Sequence, residues 1–143
     1  MRIIESVTKS NISEWAALAR QLWSTSQESL VEEFLSHKFP YEFIYRKDGH
    51  VVAFMSLSIR QDYVEGTQGS PVAYLEGIFV LGAYQKLGIA SRLLDFARSW
   101  AKKNGMKELA SDCSLENSVS QEFHQALGFR EISRSVHFVM KVD

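Results

Sequence analysis

The stretch Tyr84-Gln85-Lys86-Leu87-Gly88-Ile89-Ala90 connects an apolar run to the most regular helical pattern of the chain. Residues 72–80 predict a strand, and residues 88–103 predict a helix with an apolar face formed by Ile89, Leu93, Phe96, Ala97 and Trp100. Such a junction exposes unpaired N–H groups at the positive end of the helix dipole, which favours binding of a phosphate group. Gly88 would allow an anion to approach the backbone, and Lys86 adds positive charge. A plain turn into the helix explains Gly88 equally well, so the local pattern leaves both interpretations open.

The segments before this junction predict one α/β domain that occupies residues 1–143. Residues 2–7 predict a strand, and Asn11 predicts a helix start in which Glu14 completes a capping box. That helix would bury Ile12, Trp15, Leu18 and Leu22, and a weaker helix over residues 26–36 carries Leu30, Phe34 and Leu35. Asp48-Gly49 predicts a type I′ turn between strands 41–47 and 50–60.

The segments after the junction complete a mixed, mostly antiparallel sheet flanked by helices. Residues 107–113 predict a strand and residues 117–127 a helix. Residues 129–141 predict two short strands, the second of which alternates through Val136, Phe138 and Met140. The element order is therefore β-α-α-β-β-β-α-β-α-β-β, which is typical of an α/β sandwich.

The composition is that of an ordinary globular protein. The chain has 143 residues, is 45% hydrophobic and carries a net charge of -1, which gives no support to nucleic-acid or membrane-surface binding. No apolar run approaches the roughly 18 residues needed to span a bilayer, and Met1–Thr8 lacks a signal-peptide core. The single cysteine, Cys113, excludes an internal disulfide and is expected to be a buried apolar side chain. The lone cysteine fits a reducing compartment, and we expect a cytoplasmic protein. We also expect no metal, because the four histidines show no metal-ligand spacing.

Two motifs together resemble those of the GNAT N-acetyltransferases. Gln85-x-x-Gly88-x-Ala90 is similar to the Q/R-x-x-G-x-G/A signature of that family. Asn117, Ser120, His124 and Leu127-Gly128-Phe129 resemble its later N-x-x-A…Y…G-F segment. Residues 58–64, 75–80 and 110–112 also look like those of bacterial aminoglycoside 6′-N-acetyltransferases. The resemblance implies the GNAT acyl-CoA N-acyltransferase fold, in which splayed central strands hold CoA.

The resemblance also implies where acetyl-CoA, as co-substrate, would bind. The backbone of Ile78, Phe79 and Val80 would meet the pantetheine, and Asn117 would contact the same arm. The pyrophosphate would be held by Lys86, Leu87, Gly88, Ile89, Ala90 and Ser91. Gly77 would allow the bulge that opens the strands.

The acceptor side of the site would be formed by Trp23, Tyr63, Glu76 and Asp112. An aminoglycoside is a polycation built from sugar rings, so its site requires carboxylates and aromatic walls. Glu76 and Asp112 each interrupt an apolar strand, which is costly unless the carboxylate faces a polar cleft. Ordinary alternatives are a core role for Trp23, loop packing for Tyr63 and backbone capping for the carboxylates.

The expected reaction is direct attack of an uncharged amine on the thioester. The resemblance implies three catalytic side chains: Glu76 as proton acceptor, Asp112 as the residue that positions the substrate, and His124 as proton donor to the thiolate. Many GNAT enzymes have a tyrosine where this chain has His124. Ser133 stands where relatives can carry an acidic residue, which leaves the range of antibiotics open.

Two other functions fit the same motifs. A GNAT enzyme for another small amine or a protein amine would need the same fold, and a non-catalytic CoA-binding module would keep it without turnover. Relatives of this kind are often homodimers, and the terminal strand is the expected contact.

Overall fold

The computed structural model describes residues 3–143 of the chain. Its elements are, in order, β1 (Ile4–Ser6), α1 (Ile12–Leu22), α2 (Gln27–Leu35), β2 (Tyr41–Lys47), β3 (His50–Arg60), β4 (Val72–Val80), a 3-10 turn (Gly82–Tyr84), α3 (Ile89–Lys103), β5 (Leu109–Ser111) and α4 (Ser118–Ala126). The predicted order of elements is thus confirmed as far as α4.

One five-stranded sheet organises these elements in the order β1-β2-β3-β4-β5. The first four strands are antiparallel, and β5 runs parallel to β4. Because side chains alternate along a strand, the sheet buries two apolar faces. On one face Phe43 and Tyr45 pack with Leu93 of α3, and on the other Ile44 and Phe54 pack beneath α1 and α2.

The turn between β2 and β3 follows its local sequence closely. Asp48 has φ 52° and Gly49 has φ 80°, so both central residues are left-handed, as a type I′ turn requires. The prediction of a hairpin at this point is confirmed.

The start and end of the first helices differ from the prediction. Asn11 precedes α1, but its side chain accepts a hydrogen bond from the Thr8 N–H at 2.7 Å and caps no helical N–H. The expected capping box is therefore wrong, because Glu14 pairs with Arg46 of β2 instead. Leu22, which is predicted to be buried, is 39% exposed, and Leu35 of the second helix is 49% exposed. Each is the last residue of its helix, so no following turn of that helix covers it.

The carboxyl-terminal segment is the largest departure. The two strands predicted for residues 129–141 are wrong for the single chain, because residues 129–143 form neither helix nor strand. The apolar side chains of this tail are exposed: Val136, Phe138, Val139, Met140 and Val142. Alternation indicates a preference for extended backbone, but a strand also needs a partner edge.

Candidate active site

The sheet opens between β4 and β5. The parallel pairing covers only Ala73 to Leu75 on β4, opposite Leu109 to Ser111 on β5. From Glu76 onward, β4 pairs with β3 alone among the strands that the structure describes. The register between β3 and β4 shifts at this same point, because Ser56 lies opposite Gly77 while Leu57 lies opposite Leu75. Glu76 is therefore the extra residue of a β-bulge at the mouth of the opening.

The open side of β4 presents backbone hydrogen-bonding groups. The N–H of Leu81 donates to the Val52 carbonyl of β3 at 2.9 Å. Since alternate residues of a strand direct these groups to opposite sides, the N–H groups of Ile78 and Val80 face away from β3, towards the opening. The carbonyl of Val80, on that side, accepts a hydrogen bond from the Gln85 side chain at 3.0 Å. An extended ligand with its own amides would pair with such an edge.

The loop that follows β4 leads into the amino terminus of α3. Lys86 has φ 63°, and Gly88, immediately before the helix, has φ 83° and open space where a Cβ would stand. Within residues 3–143, no acceptor lies at hydrogen-bonding distance from the backbone N–H groups of residues 87–91. These groups and the exposed Lys86 therefore form a concave donor surface beside the opening, as an anion site requires.

An aromatic wall stands on the other side of the bulge. Trp23, the residue after α1, is half-buried and stacks on Phe39 with ring centroids 5.3 Å apart. A Cβ at Gly77 would come within 2.9 Å of the Trp23 ring, so Gly77 allows the indole to lie against β4. Trp23 lines a cleft of about 410 Å³, which Glu76 also lines. Both the core role and the site role predicted for Trp23 thus fit its position.

The carboxylates of Glu76 and Asp112 are held by neighbouring side chains. Arg60 donates to both oxygens of Glu76, with Nη2 at 3.0 Å from each, and the Ser58 hydroxyl also donates to Glu76. Asp112 accepts a hydrogen bond from the Tyr74 hydroxyl at 2.7 Å. The guanidinium carbon of Arg60 lies 3.5 Å from the centre of the Tyr74 ring. Burial, followed by the contact with Asp112, raises the pKa of Tyr74, so this hydroxyl remains a donor.

A third carboxyl group, that of Glu42, also lines the cleft formed by Trp23 and Glu76. Glu42 of β2 is 3% exposed and accepts hydrogen bonds from the indole N–H of Trp15, at 3.0 Å, and from the Ser56 hydroxyl. Burial raises the pKa of Glu42 to about 8, although both hydrogen bonds act in the opposite direction. The charge of Glu76 adds to the rise.

Both ring nitrogens of His124 are hydrogen-bonded, one within α4 and one to Ser111 of β5. Its Nδ1 lies 2.7 Å from the Ser120 carbonyl, which accepts only, so Nδ1 carries a proton. Its Nε2 lies 2.8 Å from the Ser111 hydroxyl, which also contacts the Leu75 carbonyl at 3.1 Å. Asn117 caps α4 through a 3.0 Å bond from the Ser120 N–H and is exposed.

Two other side chains lie apart from this arrangement. Tyr63 is 73% exposed in the loop between β3 and β4 and does not line the cleft, so its role in the acceptor site stays a prediction. Cys113 is exposed, and the expectation that it is buried is wrong, because it follows the short strand β5 at an uncovered edge.

Within residues 3–143, no cluster of three His, Cys, Asp or Glu side chains is placed to hold a metal ion. Among these same residues, no helix has the length and hydropathy required to cross a membrane.

The sequence analysis did not predict three residues that lie near the bulge: Arg60, Tyr74 and Glu42. Arg60 and Glu42 lie on strands distant in sequence from Glu76, and pairing alone brings them together. A usable signal was present in β3, where Ser56, Ser58 and Arg60 place polar groups on one face of an apolar strand.

Comparison with known proteins agrees with this architecture. Residues 8–129 match the acetyltransferase (GNAT) family. The chain is 37% identical over 143 residues to an aminoglycoside N(6′)-acetyltransferase type 1 of Acinetobacter haemolyticus, and the match covers 98% of this chain and 99% of that protein.

Solved structures of similar proteins cover nearly all of the fold. The apo crystal structure of aminoglycoside 6′-N-acetyltransferase AAC(6′)-Ig from Acinetobacter haemolyticus superposes with a TM-score of 0.90, at 36% identity, over all of both chains. The structure of AAC(6′)-Iy in complex with the bisubstrate analogue CoA-S-monomethyl-acetylneamine gives a TM-score of 0.87 at 35% identity, over 97% of each chain. With the opened sheet and the donor loop at α3, these matches show that the chain belongs to the GNAT acetyltransferase family.

Proposed function

We propose that this protein transfers the acetyl group of acetyl-CoA to the 6′-amine of aminoglycosides, and so confers resistance to them. The observation that carries the proposal is the position of Glu76, which is the bulged residue where β4 parts from β5. This geometry brings a carboxylate, an aromatic wall and an open strand edge to one place. The likeness to proteins named as aminoglycoside N(6′)-acetyltransferases supports the choice of acceptor.

On the donor side, the unpaired N–H groups of residues 87–91 would hold the pyrophosphate of acetyl-CoA. The pantetheine would run along β4, where the N–H groups of Ile78 and Val80 face the opening. Phe79, also expected there, would contribute mainly through its side chain, since its N–H faces β3. Asn117 retains an amide N–H₂ group for the same arm after capping α4.

On the acceptor side, Glu76 would take a proton from the 6′-ammonium group, directly or through one water molecule. The amine lone pair would then attack the thioester carbon, and an N–H group on the open edge of β4 would stabilise the oxyanion. When the C–S bond breaks, the thiolate needs a proton. The Ser111 hydroxyl would give its proton to the thiolate and take one from Nε2 of His124, which for this step carries a proton on each ring nitrogen. Asp112 and Trp23 would position the sugar rings.

The test is CoA release from acetyl-CoA with kanamycin A or tobramycin, beside a matched aminoglycoside that has a 6′-hydroxyl group. Because Cys113 is exposed and would react with a thiol reagent, the titration belongs in a Cys113→Ser background. We expect turnover with the amines alone. Glu76→Gln should lower kcat/KM by about 100-fold, the usual effect of losing a general base. The matched control is Glu28→Gln, an exposed carboxylate of α2. Binding of acetyl-CoA without turnover of any aminoglycoside would refute the proposal.

We also propose that the protein works in the cytoplasm as a homodimer. The argument for the dimer is the exposed apolar tail, in which Phe138 is 91% exposed and Met140 is 83% exposed. A complementary surface exists on the same chain, because within residues 3–143 β5 pairs only with β4. β5 also borders a cleft of about 940 Å³ that has Leu109 and Phe129 in its wall. The tail of a second copy would add a strand at this edge and cover the cleft.

Light scattering after gel filtration tests the dimer. The double variant Phe138→Asp with Met140→Asp places charge on the face that would pack against the partner, and we expect it to be monomeric. His137→Asp is the matched control, because it lies on the opposite face of an extended tail. A monomeric natural chain, or a dimer that survives the double variant, would overturn this contact.

A further inference from the structure

The most informative unassigned contact is the one between Arg60 and the acceptor carboxylate. Arg60 is the last residue of β3, and its guanidinium donates to both oxygens of Glu76 while lying 3.5 Å from the centre of the Tyr74 ring. Planar contact with a carboxylate on one side and an aromatic face on another is the environment expected of a bound cationic ligand. Here a side chain of the protein supplies the cation.

We propose that Arg60 is an internal occupant of the ammonium subsite and determines which acceptors can enter it. This inference rests on the proposed function. An amine that uses Glu76 competes with the guanidinium, because Arg60 and Ser58 together already bond to both oxygens of that carboxylate. An acceptor with several ammonium groups outcompetes Arg60 more readily than a monoamine does, since its other charges bind neighbouring carboxylates at the same time.

The contact is suited to exchange. The side chains of Arg60 and Glu76 are 42% and 34% exposed, so water screens the pair and replaces its hydrogen bonds when it opens. A pair of this exposure favours the closed arrangement by no more than roughly five-fold. Arg46 differs in that it bonds to two carboxylates at once, Glu5 at 2.7 Å and Glu14 at 2.9 Å, with its own side chain 27% exposed.

Displacement of Arg60 would also uncover the Tyr74 ring, which lies next to the second carboxylate, Asp112. The Arg60 charge lies over the Tyr74 ring, and the Tyr74 hydroxyl is bonded to Asp112. When the guanidinium leaves, the Tyr74 ring face and the Glu76 carboxylate become available to the sugar ring and ammonium groups of a ligand that also meets Asp112. Arg60 is thus a specificity-determining residue that competes with the acceptor, and it is not needed for the transfer itself.

The experiment compares the natural chain with Arg60→Gln and Arg60→Lys, measuring KM and kcat for kanamycin A and the Kd of kanamycin A by calorimetry without acetyl-CoA. We expect Arg60→Gln to lower both KM and Kd by about two- to six-fold with kcat changed less than two-fold, because the competing charge is gone. Arg60→Lys retains the charge and should stay near the natural value. Lys103→Gln, an exposed residue in the last turn of α3, is the control for net charge and should change nothing.

The outcomes separate the two proposals. If the natural chain acetylates no aminoglycoside, the proposed function fails and this inference fails with it. If the natural chain is active but Arg60→Gln raises KM, lowers kcat ten-fold or leaves KM and Kd unchanged, the proposed function stands. Arg60 is then a residue that positions Glu76, or a neutral one, and the inference is wrong.

Discussion

Replacing Glu42 by glutamine should make this protein more stable at neutral pH, although Glu42 makes two side-chain hydrogen bonds. The carboxyl is 3% exposed, and burial raises its pKa to about 8 from an ordinary 4.5. Between these pH values the folded chain retains a proton that the unfolded chain has lost. The contribution of Glu42 to stability is therefore complete below pH 4.5 and is lost as the pH rises through about 8.

The size of the effect follows from proton linkage. One proton of difference between the two states costs about 1.4 kcal/mol of unfolding free energy per pH unit. From about pH 5 to about pH 7.5 the natural chain should lose roughly 3 kcal/mol through this group. Glutamine has the same shape, accepts the Trp15 N–H and offers an N–H₂ group to Ser56, but it binds no proton.

The assay is urea unfolding of the natural chain and Glu42→Gln at several pH values between about 5 and 7.5. We expect the two curves to lie close together at the acid end and to separate steadily above it, with the variant more stable. Glu14→Gln is the control, and it should make the protein slightly less stable instead of more stable. Arg46 lowers the pKa of Glu14 through a hydrogen bond at an exposed site, so the variant loses a favourable charged contact. Parallel curves for the natural chain and Glu42→Gln would refute the reasoning, since Glu42 would then be ionised in the folded protein.

Three further predictions concern the site. Gly77→Ala should raise KM for the aminoglycoside several-fold and leave KM for acetyl-CoA unchanged, because the new Cβ would meet the Trp23 ring at 2.9 Å; equal changes in both constants would contradict this. Gly88→Ala should lower the unfolding free energy by about 1 kcal/mol, since φ is 83° at this residue, and should raise KM for acetyl-CoA. Gly82→Ala is the control in thermal melting, because Gly82 has open space around it and an ordinary φ. His124→Ala should lower Tm by a few degrees and kcat by less than about ten-fold, because the ring acts through Ser111; a loss as large as that of Glu76→Gln would make it a direct acid.

Local chemistry in the sequence was sufficient for much of the fold. Asp48-Gly49 supplies two left-handed residues in succession, so the hairpin could be placed without knowledge of the rest of the chain. The apolar face and the glycine before α3 predicted the strand-to-helix junction for the same reason. The interruption of an apolar strand by Glu76 predicted a carboxylate that faces a cleft, and Glu76 lies in the wall of the cleft beside the bulge.

Contacts between distant segments decided the rest. Asn11 bonds to the turn before α1, and Glu14 to Arg46, so the neighbouring strand overrode a local capping box. The tail has the alternating pattern of a strand, but no edge within residues 3–143 pairs with it, so the pattern alone did not produce one.

The sequence by itself determined the order of strands and helices as far as α4 and the glycine turn that precedes α3, because these depend on backbone angles and on periodic burial. Only the tertiary structure decided the chemistry around Glu76. It placed Arg60 on that carboxylate and buried Glu42 beneath the same cleft, through strand pairs separated by many residues. The charge state of a group depends on its burial and on its neighbours, and both exist only after the sheet has formed.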